Sequence, residues 1–185
     1  MIRTFNRFII STICVMVAMS ATSQTAQHAV ASPDGNLLLS FSLTDEGVPT
    51  YKIDYKGVPV VKTSRLGMEL NEENSLMDKF RINNATTSSF DETWQPVWGE
   101  EKSIRNHYNE LFVELEKPSN GRCMNFRFRV YDDGVGFRYE FPQQQYLPYF
   151  TVKAEHTEFA MTGDHTAWWI PGDYDTQEYD YTESK

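Results

Sequence analysis

Hydrophobic and polar residues alternate with a period of two along much of this chain, which is typical of β-strands with one buried face. The first such segment covers residues 36–43, where Leu37, Leu39, Phe41 and Leu43 fall on the same side. Successive side chains of a strand point to opposite faces, so these four residues should share one apolar surface. The pattern predicts a strand buried mostly on that face.

Two further patterns predict β-hairpins. Residues 51–55 and 58–62 flank Lys56-Gly57, a short glycine-containing turn. Residues 124–141 alternate on both sides of Asp132-Asp133-Gly134 and form the clearest unit of the chain. Weaker strand patterns occur at 65–70, 108–116, 149–154 and 166–170. Because no segment has a sustained helical stripe, many short strands predict an all-β fold, either a sandwich or a barrel.

Two stretches, 88–106 and 171–185, do not fit the strand pattern. Both are polar, aromatic and acidic. Loops of that length inside a compact domain are usually functional or ordered by a neighbour. The second stretch is too rich in tyrosine for an ordinary disordered tail. We expect that it contacts a partner from which it has been cut off.

The start of the chain has the features of a secretory signal peptide. Arg3 and Arg7 precede an apolar run at 8–21, and Ala21-Thr22-Ser23 resembles a cleavage site. The run falls short of the about 20 residues that span a bilayer, so no membrane anchor is expected after cleavage. We predict a signal peptide at 1–23 and an exported single domain at 24–185.

The acidic composition restricts the possible partners. The sequence has 17 basic and 26 acidic residues, and cleavage would remove two arginines, which leaves 15 − 26 = −11. Nucleic acid and anionic lipid both require basic surfaces, so neither is expected as a partner. Cleavage would also remove Cys14 and leave Cys123 alone, so no intramolecular disulfide can form.

Titratable side chains offer no convincing catalytic group. Five acids crowd one region and could suit glycoside hydrolysis, although spacing along a loop does not fix their separation. We favour solvated surface acids for this set, which comprises Asp91, Glu92, Glu100, Glu101 and Glu110. The histidines lack metal-ligand spacing and are interpreted as structural: His107, His156 and His165. Cys123 opens a strand and is interpreted as a packed small residue.

Tryptophan pairs are the most suggestive aromatic features. Trp94 and Trp98 could stack on sugars, but packing of their loop onto its own or a neighbouring domain is favoured. Trp168 and Trp169 are adjacent in a predicted strand and should point to opposite faces. We therefore expect one of these two in the core and the other against a partner or solvent.

The last stretch contains part of a possible hard-cation site. Glu178 has Asp173, Asp175 and Asp180 nearby in the sequence. Calcium requires about six to eight oxygen ligands, so this segment alone should not enclose the ion.

Four longer runs, at 90–102, 104–111, 137–144 and 169–181, resemble glycoside hydrolase family 97, and the similarity extends over nearly all of residues 24–185. The resemblance implies a large antiparallel β-sandwich of the mutarotase-like supersandwich type. In the family a (β/α)₈ barrel follows this sandwich, and we expect the chain to be truncated before that barrel. The family's catalytic carboxylates belong to that barrel, so no catalytic residue is assigned here and the chain alone is predicted inactive. The family's calcium takes one ligand from the sandwich, in the motif matched by Gln177-Glu178-Tyr179. Glu178 is therefore the predicted calcium ligand, with the site completed by the barrel.

The functional expectation is the amino-terminal domain of a periplasmic, exo-acting α-glucosidase that hydrolyses starch-derived oligosaccharides. Three alternatives remain open. One is the domain of a family α-galactosidase, and another is a free-standing carbohydrate-binding module. The third is a mutarotase-like epimerase that pairs His107 or His165 with Glu110 or Glu140 as acid and base.

Overall fold

A computed structural model describes residues 27–71 and 75–185. The regular elements of these residues are β-strands in antiparallel sheets, without a helix: β1 His28–Ala31, β2 Leu37–Leu43, β3 Pro49–Tyr55, β4 Val58–Arg65, β5 Met68–Leu70, β6 Arg81–Trp94, β7 Ile104–Lys117, β8 Arg122–Val130, β9 Val135–Glu140, β10 Val152–Glu155, β11 Ala167–Trp169 and β12 Thr182–Ser184. No helix long and apolar enough to cross a membrane occurs among them. The predicted signal peptide at 1–23 lies outside the described residues.

The first sheet has the order β1-β2-β3-β4 and confirms the first strand and the first hairpin. Leu37, Leu39, Phe41 and Leu43 of β2 are all buried, as the alternation predicts. The turn between β3 and β4 places Lys56-Gly57 at φ values of 50° and 78°. Two consecutive residues with positive φ match the right-handed twist of the flanking strands, which explains the glycine.

The second sheet has the order β6-β7-β8-β9 and contains the predicted hairpin at 124–141. Its turn is closed by the N–H of Tyr131, which donates to the carbonyl of Gly134 at 2.8 Å. Phe126 and Phe128 of β8 are fully buried, whereas Arg127 and Arg129 lie on the opposite face. The alternation in this segment therefore predicts both the strands and their orientation.

The two sheets pack face to face around aromatic rings. The ring centroid of Phe41 lies 5.6 Å from that of Phe126 and 5.8 Å from that of Phe128. Tyr51 lies 5.4 Å from Phe137 in the same layer. These contacts join β2 and β3 to β8 and β9 through a shared apolar interior, and the predicted antiparallel β-sandwich is confirmed.

The prediction that 88–106 is non-strand is wrong for most of that stretch. Strand β6 continues to Trp94, and β7 begins at Ile104, so a long two-stranded ribbon replaces the expected loop. Most of β6 is exposed on both faces, which removes the alternation that marks a half-buried strand. Polar cross-strand pairs line the ribbon instead, for example Ser89 with Asn109 at 2.6 Å.

Two small sheets complete the fold. Strand β5 pairs with β10, and β11 pairs with β12. Strands β5 and β11 lie within the predicted segments at 65–70 and 166–170, and β10 overlaps the predicted segment at 149–154 but ends one residue beyond it. Strand β12 lies in the tail that was expected to be free of strands, so that expectation is also wrong for 182–184. Three residues are too few to show a period in the sequence.

Candidate functional site

The predicted calcium ligand lies in the loop of the terminal hairpin formed by β11 and β12. Trp169 is directly opposite Thr182 in the register, and its indole Nε1 donates to Ser184 Oγ at 3.0 Å. The connecting residues 170–181 thus begin and end at a closed base. This base fixes where the loop leaves the sheet and returns to it.

Asp173 organises the loop itself. Its carboxylate accepts the N–H of Asp175 at 3.0 Å and the hydroxyl of Tyr179, and its carbonyl accepts the side-chain amide of Gln177 at 2.8 Å. The Tyr179 hydroxyl, followed by the backbone of Asp175, holds the pKa of Asp173 below its ordinary value. Both oxygens of this carboxylate are therefore already used in the loop. The sequence groups Asp173 with possible metal ligands, whereas the structure gives it a role in shaping the loop.

Glu178 is presented to solvent by this loop. Its N–H donates to Thr176 Oγ1 at 3.1 Å, while its carboxylate has no hydrogen-bond or ion-pair partner among residues 27–71 and 75–185. An unpaired carboxylate is a suitable ligand for calcium. Within those residues no group of three or more His, Cys, Asp or Glu side chains is placed to hold a metal. Glu178 alone can thus supply only part of the about six to eight oxygens that calcium requires.

The aromatic residues of this region are uncovered. Trp168 is 63% exposed and Trp169 is 47% exposed, so the expectation that one of them enters the core is wrong. Adjacent side chains of a strand point to opposite faces, but the two-stranded sheet of β11 and β12 has neither face packed on the sandwich core. Tyr174 and Tyr181 in the loop are also exposed. These four exposed aromatic residues lie in the same terminal hairpin as Glu178.

The acidic residues that were expected to be solvated lie in two different environments. Asp91 accepts two hydrogen bonds from Arg105, at 2.8 and 2.7 Å, and this guanidinium lowers the pKa of its carboxyl. Glu110, in contrast, is only 7% exposed, and the expectation of a solvated acid is wrong for it. It pairs with Arg127 and with Arg129 across the strands, the latter at 3.0 Å. Cross-strand arginines compensate the burial of this charge.

Glu140 belongs to the same ion-pair network, and its surroundings do not suit a general acid. Arg127 Nε lies 2.6 Å from Glu140 Oε1, and this arginine holds the pKa of the glutamate below its ordinary value. A general acid requires the opposite shift, that is, a raised pKa.

The histidines of the epimerase hypothesis are not paired with these glutamates. His107 and Glu110 are three residues apart in β7 and therefore point to opposite faces. His165 Nε2 lies 3.4 Å from Thr162 Oγ1. The structure gives the epimerase hypothesis no assembled acid–base pair.

The remaining candidates have structural surroundings. His156 Nε2 lies 3.1 Å from Glu69 Oε2, on the small sheet of β5 and β10. Cys123 is partly buried, and burial raises the pKa of its thiol, which makes it a poorer nucleophile.

The sequence did not predict a notch that Trp94 and Tyr131 both line, because the two residues come from different hairpins. Only the pairing of β7 with β8 brings them together.

Comparison with known proteins places these features in a family. Residues 30–185 match the family model described as the glycosyl-hydrolase 97 N-terminal domain. A retaining α-galactosidase from Bacteroides thetaiotaomicron is 29% identical over 179 residues, which are 93% of this chain and 25% of that protein.

Solved structures show the same relationship. A glycoside hydrolase family 97 enzyme from a Pseudoalteromonas strain, determined with panose and with acarbose, has a TM-score of 0.77 and 35% identity, and the match covers 85% of this chain and 24% of that enzyme. A β-arabinopyranosidase has a TM-score of 0.70 and 26% identity, with 84% and 26% coverage. The chain therefore spans about a quarter of the length of the relatives it matches. The strand order, the core and these matches together show that the chain belongs to glycoside hydrolase family 97 and corresponds to the amino-terminal domain of that family.

Proposed function

We propose that this chain is the amino-terminal domain of an exported, exo-acting α-glucosidase that hydrolyses starch-derived oligosaccharides. The observation that supports this substrate is the 35% identical Pseudoalteromonas enzyme, which was determined with panose and with acarbose. Export to the periplasm is supported by the charged and apolar pattern of residues 1–23. In this proposal the domain is inactive by itself, because the catalytic carboxylates belong to a barrel outside the chain.

Glu178 is the residue through which the domain takes part in the reaction. Its carboxylate is exposed and unpaired, while Asp173 and the Trp169 indole fix the loop that carries it. A bound calcium would supply positive charge close to the bond that is cleaved. The chain's own contribution is to hold one oxygen ligand in place, on a hairpin that also presents exposed aromatic residues. The domain and the barrel would then share one ion, which couples their docking to activity.

The experiment is a chimaera in which this chain replaces the matching segment of the Pseudoalteromonas enzyme. We expect calcium-dependent hydrolysis of a nitrophenyl α-glucoside. The substitution Glu178→Gln should raise the calcium concentration for half-maximal activity roughly tenfold or more, because it removes one anionic ligand. Glu183→Gln is the matched control, since Glu183 is an exposed glutamate of the same hairpin. The chain alone should neither hydrolyse the substrate nor bind calcium tightly.

Two results would contradict this proposal. One is stoichiometric, tight calcium binding by the chain alone in a calorimeter, because Glu178 could then not be a lone ligand. The other is an unchanged calcium dependence in the Glu178→Gln chimaera.

A family α-galactosidase is the second candidate, supported by the 29% identical retaining enzyme. The two activities are separated by assaying the complete enzyme that carries this domain on matched α-glucoside and α-galactoside substrates. Preference for the galactoside would replace the glucosidase proposal and leave the role of Glu178 unaffected.

A further inference from the structure

The long ribbon of β6 and β7 forms a notch with the turn between β8 and β9. The notch has a volume of about 680 Å³, within the range of small-molecule sites, and it is open to solvent. The ribbon contributes Trp94, Ile104, Arg105, Asn106 and His107, and the turn contributes Tyr131, Asp132 and Asp133. It is a separate structure from the terminal hairpin that carries Glu178.

One wall of the notch is aromatic and apolar. Trp94 lies directly opposite Ile104 in the ribbon, and the two are 47% and 36% exposed. Tyr131 packs on Tyr108 with ring centroids 5.3 Å apart, and its hydroxyl donates to Asn106 Oδ1 at 3.3 Å. The tyrosine is thus held in place from two sides. A large indole left this open provides a stacking surface in a notch that Tyr131 also lines.

The other wall provides hydrogen-bonding groups in a fixed turn. Asp132 Oδ1 accepts the N–H of Asp34 at 2.8 Å, which ties the turn to the loop between β1 and β2. The exposed Asp133 carboxylate follows it, and the Asn106 amide nitrogen has no partner among the described residues. The notch therefore offers both acceptors and a donor next to the aromatic wall.

The side chains of the notch disfavour anionic ligands and a bound metal ion. Its arginine, Arg105, is already bound by both carboxylate oxygens of Asp91. Asp132 and Asp133 would repel phosphate or other anions. No cluster of three metal-ligating side chains occurs here or elsewhere in the described part of the chain. A neutral ligand with an apolar face and many hydroxyl groups fits these surroundings.

We propose that this notch is a saccharide-binding subsite, distinct from the proposed calcium site. One face of a pyranose carries C–H groups, which favour the negative face of the Trp94 ring. Its hydroxyl groups would donate to Asp132 and Asp133 and accept from the Asn106 amide. The site lies on the ribbon of β6 and β7 and is open to solvent, so it can take one sugar unit of a longer chain.

The test is a titration of the purified chain with maltotriose in buffer that contains EDTA, followed by the NMR signals of the indole N–H groups. The signal that disappears in Trp94→Phe belongs to Trp94 and should shift on addition of sugar. Trp94→Ala should weaken binding at least tenfold, and Asp133→Ala should weaken it severalfold. Trp98→Ala is the matched control, because this residue is 88% exposed and does not line the notch.

Several outcomes would overturn the proposal. These are no Trp94 shift with maltotriose or galactobiose, equal loss of binding in Trp94→Ala and Trp98→Ala, or a larger Trp94 shift with inorganic phosphate. Unchanged circular dichroism and thermal midpoints must accompany each variant, and Trp94→Phe should retain most of the affinity. Because EDTA removes calcium, the result is independent of Glu178, and failure here leaves the proposed function untouched.

Discussion

Asp34 is a single exposed residue that fixes two turns. Its carboxylate accepts hydrogen bonds from the Ser32 hydroxyl, from the Asn36 N–H at 3.0 Å and from the Asn36 side chain. Its own N–H donates to Asp132 in the turn between β8 and β9. The Ser32 hydrogen bond and then the Asn36 backbone lower the pKa of Asp34 from 3.8 to about 2. The ionised form is therefore favoured by the fold.

This lowered pKa predicts a pH dependence of stability. A carboxylate with a depressed pKa in the folded state stabilises the protein above its unfolded value of 3.8, and this contribution is lost as the pH falls through about 2. We expect the difference in unfolding free energy between the wild type and Asp34→Asn to be larger at pH 6 than at pH 2.5. Chemical denaturation at both values measures it. In Ser32→Ala, an NMR titration should show the Asp34 pKa moving upward; an equal difference at both pH values would contradict the prediction.

At the scale of elements, the turn between β2 and β3 is joined to the segment before β6. Gly47 has φ of 73°, and its carbonyl accepts the N–H of Phe80 at 3.1 Å. Lys117, although only 2% exposed, donates from Nζ to the Ser75 carbonyl at 2.7 Å. Residues 75–80, which lead into β6, are thus held at both of their ends. Burial lowers the pKa of Lys117, and the nearby Asp78 partly opposes this effect.

The closeness of this contact predicts different costs for two glycines. A Cβ at Gly47 would lie 2.6 Å from the backbone N and O of Phe80, whereas a Cβ at Gly35 would meet nothing within 4 Å. Both have positive φ, so each alanine substitution should cost roughly 1–2 kcal/mol for the backbone conformation. Gly47→Ala should cost about 1–3 kcal/mol more, because backbone must move. Urea denaturation of the two variants measures the difference, and equal costs would show that the contact relaxes freely.

At the scale of the whole molecule, one aromatic layer holds the two main sheets together. Phe41 is fully buried and contacts rings of β8, whereas the aromatic residues of the terminal hairpin are exposed. The molecule therefore has a packed centre and an uncovered aromatic end. This division separates residues needed for folding from residues available to a partner.

Substitutions at the two ends should behave differently. Phe41→Ala should lower the free energy of unfolding by about 3–5 kcal/mol, because it leaves a cavity between the sheets. Trp168→Ala, at a residue that is 63% exposed, should change it by about 0.5 kcal/mol or less. Thermal or chemical unfolding followed by circular dichroism gives both values. A large loss in Trp168→Ala would mean that the terminal hairpin contributes to the fold of the chain itself.

Alternating residues predicted part of this molecule well. The inward faces of β2 and β8, and the hairpins at 51–62 and 124–141, follow from a period of two combined with turn residues. Local sequence carries that information because the buried face and the turn lie within a few residues of each other. The sequence also indicated the family, whose model matches residues 30–185.

Other features depend on contacts between distant residues. Strand β6 is stabilised by its pairing with β7 and has no apolar face of its own, so no period marks it. Glu110 is buried because arginines from β8 cover it, and Trp168 is exposed because its small sheet lies away from the core. By itself the sequence determined the strands that bury one face, the turns between them and the family. The tertiary structure decided which polar groups are paired and which aromatic rings stay open, because burial depends on what packs against a residue.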